Sequence, residues 1–425
     1  MPSLASHSLL LCIVAASLLL MLLRPRDIPE VYWVGGGVLL LLALRLIPFQ
    51  LAGHAIAKGS DVYFFLAGMM LLSELARENG VFDWLSAAAV RHAHASSPRL
   101  FVLLYLVGIG VTVCMSNDAT AVVLTPAVLA SVRRSRVDPV PFLFACAMVA
   151  NAASFVLPIS NPANLVVFHS GMPPLAQWLM AFLVPSLLSI AVTFAILRWY
   201  FRRELRATID CDIDPVPLRT GGKLVLAGLL IVVITLLTTS AFGNDLGLPT
   251  FLIAVAITAA LALNNRLNPL KIAKQISWST LALVAALFVM VDAVESIGLL
   301  HLTQEAFNYV RHPAPAAGAL LAAFVIGIGN NLINNLPMGL MAANTLASAH
   351  AHGLLADTIL IAVDLGPNLA VSGSLATILW LIALRREGLN VGFGRFLKVG
   401  VLAMPAALLA SVLGLLGMHL IFPGT

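Results

Sequence analysis

Apolar residues along this chain come in long blocks rather than in the alternation of a strand or the half-polar rhythm of a soluble helix. Blocks of roughly 17–25 apolar residues are what a helix needs to cross a bilayer core of about 30 Å. Ser8–Leu23, Val31–Ile47, Leu175–Tyr200, Lys223–Phe242 and Phe396–Ile421 are of this kind. No basic residue precedes the first block and no small-residue cleavage site follows it, so it reads as a retained helix, not a signal peptide. Two stretches, Val81–Ala95 and Leu299–His312, are amphipathic and read as lying along the membrane surface. Two more are two-armed: Arg99–Arg133, with a polar tip at Ser116–Asp118, and Ala314–His350, with its tip at Asn331–Pro337.

The same pattern occurs twice. Val90-Arg91-His92 returns as Val310-Arg311-His312, Ile56-Ala57-Lys58 as Ile272-Ala273-Lys274, and Glu74 before Gly80 as Asp292 before Gly298. Ser116-Asn117-Asp118 answers Asn334-Asn335, and Ser160-Asn161-Pro162 answers Ser372-Gly373-Ser374. Matches in one order at a nearly constant spacing indicate a duplication. The expected division is residues 1–205 (two-armed segment 99–133, interrupted helix 140–170), a linker at 206–222, and residues 223–425 (two-armed segment 314–350, interrupted helix 357–384). Each half crosses about five times if the two-armed segments are re-entrant hairpins, and about seven times if both arms cross. Either number is odd, so the second half would be inverted relative to the first. The fold class expected is therefore an all-α polytopic membrane protein built as an inverted repeat.

Composition agrees with this. Of 425 residues, 60% are hydrophobic and 10% charged, where a soluble domain carries about 25% charged residues. The net charge of +5 could suggest nucleic acid, but its distribution is that of a membrane protein. With both termini outside and the central loop in the cytoplasm, only Arg45, Lys58 and Arg311 of the 24 Lys and Arg residues face outward, as the positive-inside rule requires. Cys12, Cys114, Cys146 and Cys211 have no Cys-x-x-Cys spacing, so neither a disulfide nor a structural zinc is expected. His92-x-His94 and His350-x-His352 do not share a helix face, and Gly221-Gly222-Lys223 lacks the P-loop spacing. No cofactor is expected.

The informative positions are polar residues at membrane depth. Backbone can leave a helix inside a bilayer only where protein or a cavity satisfies it. The runs Leu157–Asn164 and Leu365–Ser374 do so in mid-helix, with Pro158, Pro162 and Pro367 removing N–H donors. Interrupted helices at matching places in two halves point to a transporter's binding site. Ser116, Asn117 and Thr120 on one tip, Ser160, Asn161 and Asn164 in one break, Asn334 and Asn335 on the other tip, and Ser372, Ser374 and Thr377 in the other break are expected to converge and bind substrate. Asn330 and Asn331 add to the polarity of the second tip. Asp118 and Asp364 are the nearest carboxylates; intramembrane ionisable groups are costly and by default functional, and both are candidates for carrying a coupling proton. Glu74 and Asp292 read as interfacial.

At these residues the chain resembles a known family. Asn117-Asp118 through Thr125-Pro126, Ala153-Ser154 through Asn164, Asn334-Asn335-Leu336-Pro337-Met338 and Val363-Asp364-Leu365-Gly366-Pro367 through Gly373-Ser374-Leu375-Ala376-Thr377 are similar to the ArsB-type arsenite/antimonite efflux permeases of the ion-transporter superfamily. The family usually has Lys at the position of Asn368, Thr-Pro at Ala370-Val371, and Asp at Asn151. The resemblance implies extrusion of arsenite or antimonite across the inner membrane in exchange for protons, with an elevator-like movement. It allows a separate ArsA-type ATPase and a homodimer, and implies no catalytic residues. Arsenite's affinity for sulfur draws attention to Cys114, although a thiolate would slow release. The competing reading within the superfamily is a sodium–proton antiporter or carboxylate carrier. A membrane enzyme lacks a nucleophile–base pair at depth, and a channel suits a mobile two-hairpin architecture poorly.

Overall fold

The computed structural model describes residues 4–23, 25–169, 171–207, 209, 216–263, 268–298, 315–348 and 353–422. The expected second amphipathic stretch, part of the linker (208 and 210–215, including Cys211) and the His350–His352 pair lie outside the described residues. Nineteen α-helices are present among the described residues, with no strand. The first ten are α1 (Leu4–Leu23), α2 (Glu30–Ala43), α3 (Phe49–Lys58), α4 (Ser60–Glu78), α5 (Val81–His92), α6 (Ser97–Cys114), α7 (Thr125–Arg134), α8 (Val140–Ala152), α9 (Pro162–Val167) and α10 (Leu175–Tyr200). The rest are α11 (Thr220–Ala241), α12 (Gly247–Leu263), α13 (Pro269–Gln275), α14 (Trp278–Ser296), α15 (Pro315–Ile333), α16 (Asn335–Ser348), α17 (Leu354–Leu365), α18 (Leu375–Arg386) and α19 (Phe393–Ile421). Six helices are long and apolar enough to cross a membrane, and a seventh span results if α3 and α4, bent by 51° at Gly59, count together. The chain is an all-α multi-pass membrane protein.

Matching positions carry matching elements. The short α3 and α13 each precede a 19-residue helix, α4 and α14. Each half ends in an interrupted helix and one long span, α10 of 26 residues and α19 of 29. Two cross-links give the relative direction of α4 and α14. Lys58, just before α4, donates to Asp292 near the end of α14 at 3.0 Å. Glu78, ending α4, accepts from Lys271 and Gln275 just before α14, at 2.9 and 3.1 Å. Helices α4 and α14 therefore run antiparallel.

The helices sort into two packed groups. Helices α1–α4 and α11–α14 pack mainly on one another, with α4 against α12 and α14 against α2 and α3. The two-armed segments, the interrupted helices, α10 and α19 form the second group, in which α10 lies along α19. Helix α5 joins the groups: it follows α4, and its buried face of Val81, Phe82, Ser86, Ala89 and Val90 packs on α6 and α7. The outward surface of both groups is studded with Leu, Ile, Val and Phe, as lipid contact requires.

Candidate functional site

Each interruption has a local cause. In the first two-armed segment the chain turns at Met115–Asn117, where the Asn117 side chain accepts from the Asp118 N–H at 2.9 Å and Ser116 Oγ from the Ala119 N–H at 3.1 Å. The returning arm begins as a π-helix, Ala119–Leu124. Pro126 has no N–H to close the next α-helical bond, and Thr125 Oγ1 donates back to the Thr120 carbonyl at 3.2 Å. Short π segments of this kind occur often at functional sites. In the second, Asn334 adopts φ 76° between α15 and α16, a left-handed conformation that asparagine tolerates better than most residues.

Helix α8 ends at Ala152 and the chain resumes as α9 at Pro162. One side chain collects the carbonyls left open between them: Asn164 Nδ2 faces the Ser154, Leu157 and Pro158 oxygens at 3.0, 3.3 and 3.2 Å. Trp178 donates to the Phe155 carbonyl at 3.2 Å. Between α17 and α18 the partners come from α15. Asn330 donates to the Ala362 and Val363 carbonyls at 2.8 and 3.0 Å, and Asn331 to that of Gly366 at 3.0 Å while accepting from Ala370 N at 3.0 Å. Ser372 donates to the Asn331 carbonyl at 2.9 Å. These asparagines answer the demand that non-helical backbone at depth be satisfied by protein.

A narrow chamber lies where the four interruptions meet. It is lined by Asn117 and Asp118 from the first tip, Asn161 and Pro162 from the first break, Asn335 and Leu336 from the second tip, and Ser374, Leu375 and Ala376 from the second break. Leu66 of α4 and Thr280 of α14 close it from the other helix group. The tips thus reach the breaks midway along the interrupted helices, not the far ends of those helices. The chamber continues into a cleft lined by Ser116, Met69, Met70, Ser73, Glu74, Gln275 and Ser277, open toward the end of α4 and the start of α14. No Lys, Arg or His is among the described residues lining either space. Two helix N-termini face the chamber. Asn161 caps α9 by accepting from Ala163 N at 3.0 Å, and Ser374 caps α18 in a capping box with Thr377.

Of the positions expected from sequence, Ser116, Asn117, Asp118, Asn161, Asn335 and Ser374 line this space. The others stand behind it. Thr120 pairs with Thr112 at 2.8 Å, Ser160 donates to the Val113 carbonyl at 3.3 Å, and the Asn334 side chain faces Leu336 N at 3.4 Å. Asn164, Ser372 and Thr377 hold backbone in the breaks. Asp364 is fully buried and outside the chamber, bonded to Ser154 at 2.7 Å and Asn161 at 2.8 Å. Beside it, Asn151 donates to Asn368 Oδ1 at 2.9 Å, and Asn368 Nδ2 donates to the Met148 carbonyl at 3.0 Å. Sequence reasoning missed Leu66, Ser73, Gln275, Ser277 and Thr280, ordinary residues in apolar helices with no signal until those helices are packed. Glu74 lines the cleft with its carboxylate held by Arg77 at 2.7 Å.

The chain matches the CitMHS family, described as citrate transporter, over residues 9–366. It is similar to the arsenical pump membrane protein of Yersinia enterocolitica, 25% identical over 79% of this chain and 81% of that protein. The arsenical pump membrane protein of Escherichia coli strain K12 is 25% identical over 83% of this chain and 85% of that one. A transporter of Mycobacterium tuberculosis described as uncharacterized is 24% identical over 85% and 87% of the two chains. In fold the chain resembles the YdaH transporter of Alcanivorax borkumensis, whose crystal structure is described as having an unusual topology. The TM-score is 0.58 at 16% identity, covering 90% of this chain and 89% of that one. The chain therefore belongs to the CitMHS transporter family, and its likeness to the ArsB-type permeases runs through most of its length.

Proposed function

We propose that this transporter exports trivalent arsenic or antimony hydroxide from the cytoplasm in exchange for protons, and that it does so by an elevator movement of one helix group against the other. The observation that carries this reading is the chemistry of the chamber. Its polar lining is amide and hydroxyl, with one carboxylate, Asp118, and no basic group. Arsenite at neutral pH is an uncharged tris-hydroxide that both donates and accepts, so such a lining can replace its hydration. A tricarboxylate would lose its hydration there with no cation to compensate.

The antiparallel relation of α4 and α14 supports an inverted repeat. With the central loop cytoplasmic, the cleft opens to the cytoplasm, and both termini lie outside. Toward the opposite end, the returning arm of the second two-armed segment is tied to the other helix group, where Asn344 of α16 donates to Glu295 of α14 at 2.8 Å. Taking up a proton as a neutral solute leaves moves one charge inward, which the membrane potential drives by about 2.3 kcal/mol per 100 mV. Asp118 is the exchanging carboxylate in this scheme, since it lines both chamber and cleft.

The experiment is arsenite uptake by everted vesicles energised by respiration, with and without a protonophore. Uptake abolished by the protonophore in wild type, and uncoupled from it in Asp118→Asn, is the expected result. Citrate uptake in place of arsenite would overturn the substrate assignment. A sodium arm is needed because the buried amide oxygens of Asn151, Asn164 and Asn330 have no donor among the described residues, and amide oxygens suit sodium. Sodium-evoked proton movement without arsenite uptake would establish a sodium–proton antiporter.

A further inference from the structure

Asp364 is the most deeply placed carboxyl among the residues expected from sequence to act at the site, and its hydrogen bonds can be counted atom by atom. Asn161 Nδ2 donates to Asp364 Oδ1 at 2.8 Å. The orientation of that amide is fixed, because Asn161 Oδ1 accepts from the Ala163 N–H at 3.0 Å. On the other side, Ser154 Oγ lies 2.7 Å from Asp364 Oδ2 and also 2.7 Å from the Asn151 carbonyl oxygen. A serine hydroxyl has a single proton to donate, and a backbone carbonyl has none. Both short contacts are hydrogen bonds only when Ser154 gives its proton to the Asn151 carbonyl and the carboxyl supplies a second proton to Ser154 Oγ. No described Lys, Arg or His forms an ion pair with Asp364.

From this hydrogen count we propose that Asp364 is a neutral carboxylic acid which keeps its proton through the cycle, and that it is a positioning residue for Asn161 rather than the group that exchanges protons. The chain runs from the Asp364 O–H to Ser154 Oγ, and from the Ser154 O–H to the Asn151 carbonyl. Asn151 then binds Asn368 of the second break. The network links the first break to the second through Asn151 and Asn368, and it holds Asn161, one of the three asparagines that line the chamber, in a single orientation. Releasing the proton would leave two oxygens 2.7 Å apart with no hydrogen between them. Asp118 differs in having only its own backbone N–H bonded locally, to Asn117, and in facing open space.

The assignment of a fixed proton does not depend on which solute is carried. Two readouts on the full-length protein in vesicles test it. In the infrared difference between wild type and Asp364→Asn, a protonated-carboxyl C=O band is expected at neutral and mildly alkaline pH, with no substrate present. In energised vesicles, Asp364→Asn is expected to keep full protonophore sensitivity of arsenite uptake. Its amide can donate to Ser154 and accept from Asn161, so a rate within about threefold of wild type follows. Asp364→Ala, which orphans both partners, is expected to lower uptake at least about tenfold. Absence of the band, or a folded Asp364→Asn whose uptake ignores the protonophore, overturns the proposal. If wild type carries no arsenite, the substrate reading fails and the infrared band alone decides this one.

Discussion

Replacing Asn161 by alanine removes two jobs from one side chain, and the structure allows each to be sized. As the cap of α9, Asn161 satisfies the Ala163 N–H at 3.0 Å, and losing a cap costs about 1 kcal/mol. Helix α9 has only 6 residues, so its start has little else to define it. As a donor to Asp364 at 2.8 Å, Asn161 satisfies an oxygen that water does not reach. Leaving a buried acceptor open costs about 1–3 kcal/mol, so the total for Asn161→Ala is about 2–4 kcal/mol. Asn161→Ser separates the parts, since serine caps a helix but cannot reach Asp364; it is expected to recover about 1 kcal/mol of the loss. Thermal unfolding of the purified protein in one detergent, with vesicle uptake in parallel, should rank wild type above serine above alanine. An alanine variant within about 0.5 kcal/mol of wild type would refute the reasoning, because that is the range of surface substitutions away from special features. Equal losses for serine and alanine would show that the cap contributes nothing.

Gly366→Ala places a methyl group on Asn330 Nδ2 and within 2.6 Å of the Gly327 carbonyl oxygen, so α15 must move off the second break. A loss of about 1–3 kcal/mol is expected, read as lower folded yield and Tm. Gly110→Ala, with nothing within 4 Å, should be neutral in the same assay. Lys58→Ala leaves Asp292 without its cation at a position where the carboxylate side chain is 9% exposed. Lys58 itself is 34% exposed, so the cost falls below that of a fully buried pair, at about 1–2 kcal/mol. Adding Asp292→Asn should restore part of it, and a double-mutant cycle with no coupling beyond about 0.5 kcal/mol would show that the pair contributes nothing.

The sequence alone was enough to give the helical membrane class, because bilayer crossing imposes a length and an apolarity that leave a direct imprint. The expected span Leu175–Tyr200 coincides with α10, and the Val81 stretch begins where α5 begins. The breaks were legible for a related reason: Pro158, Pro162 and Pro367 cannot continue a helix, and the Asn and Ser residues beside them have no place in lipid unless something needs them. What those asparagines do was not legible. Asn117 and Asn335 line the chamber, whereas Asn330, Asn331 and Asn164, of the same type and equally close to a break, hold open carbonyls. Asp118 and Asp364 looked alike in sequence, yet one faces the chamber and the other is locked between Ser154 and Asn161. A polar side chain's role depends on which backbone groups are left unpaired nearby, and at Asp364 both partners come from about 200 residues away. Leu66 and Thr280, which complete the chamber, carry no local mark at all. Their role arises only when two antiparallel helices bring them against four breaks at once, and that is decided by packing.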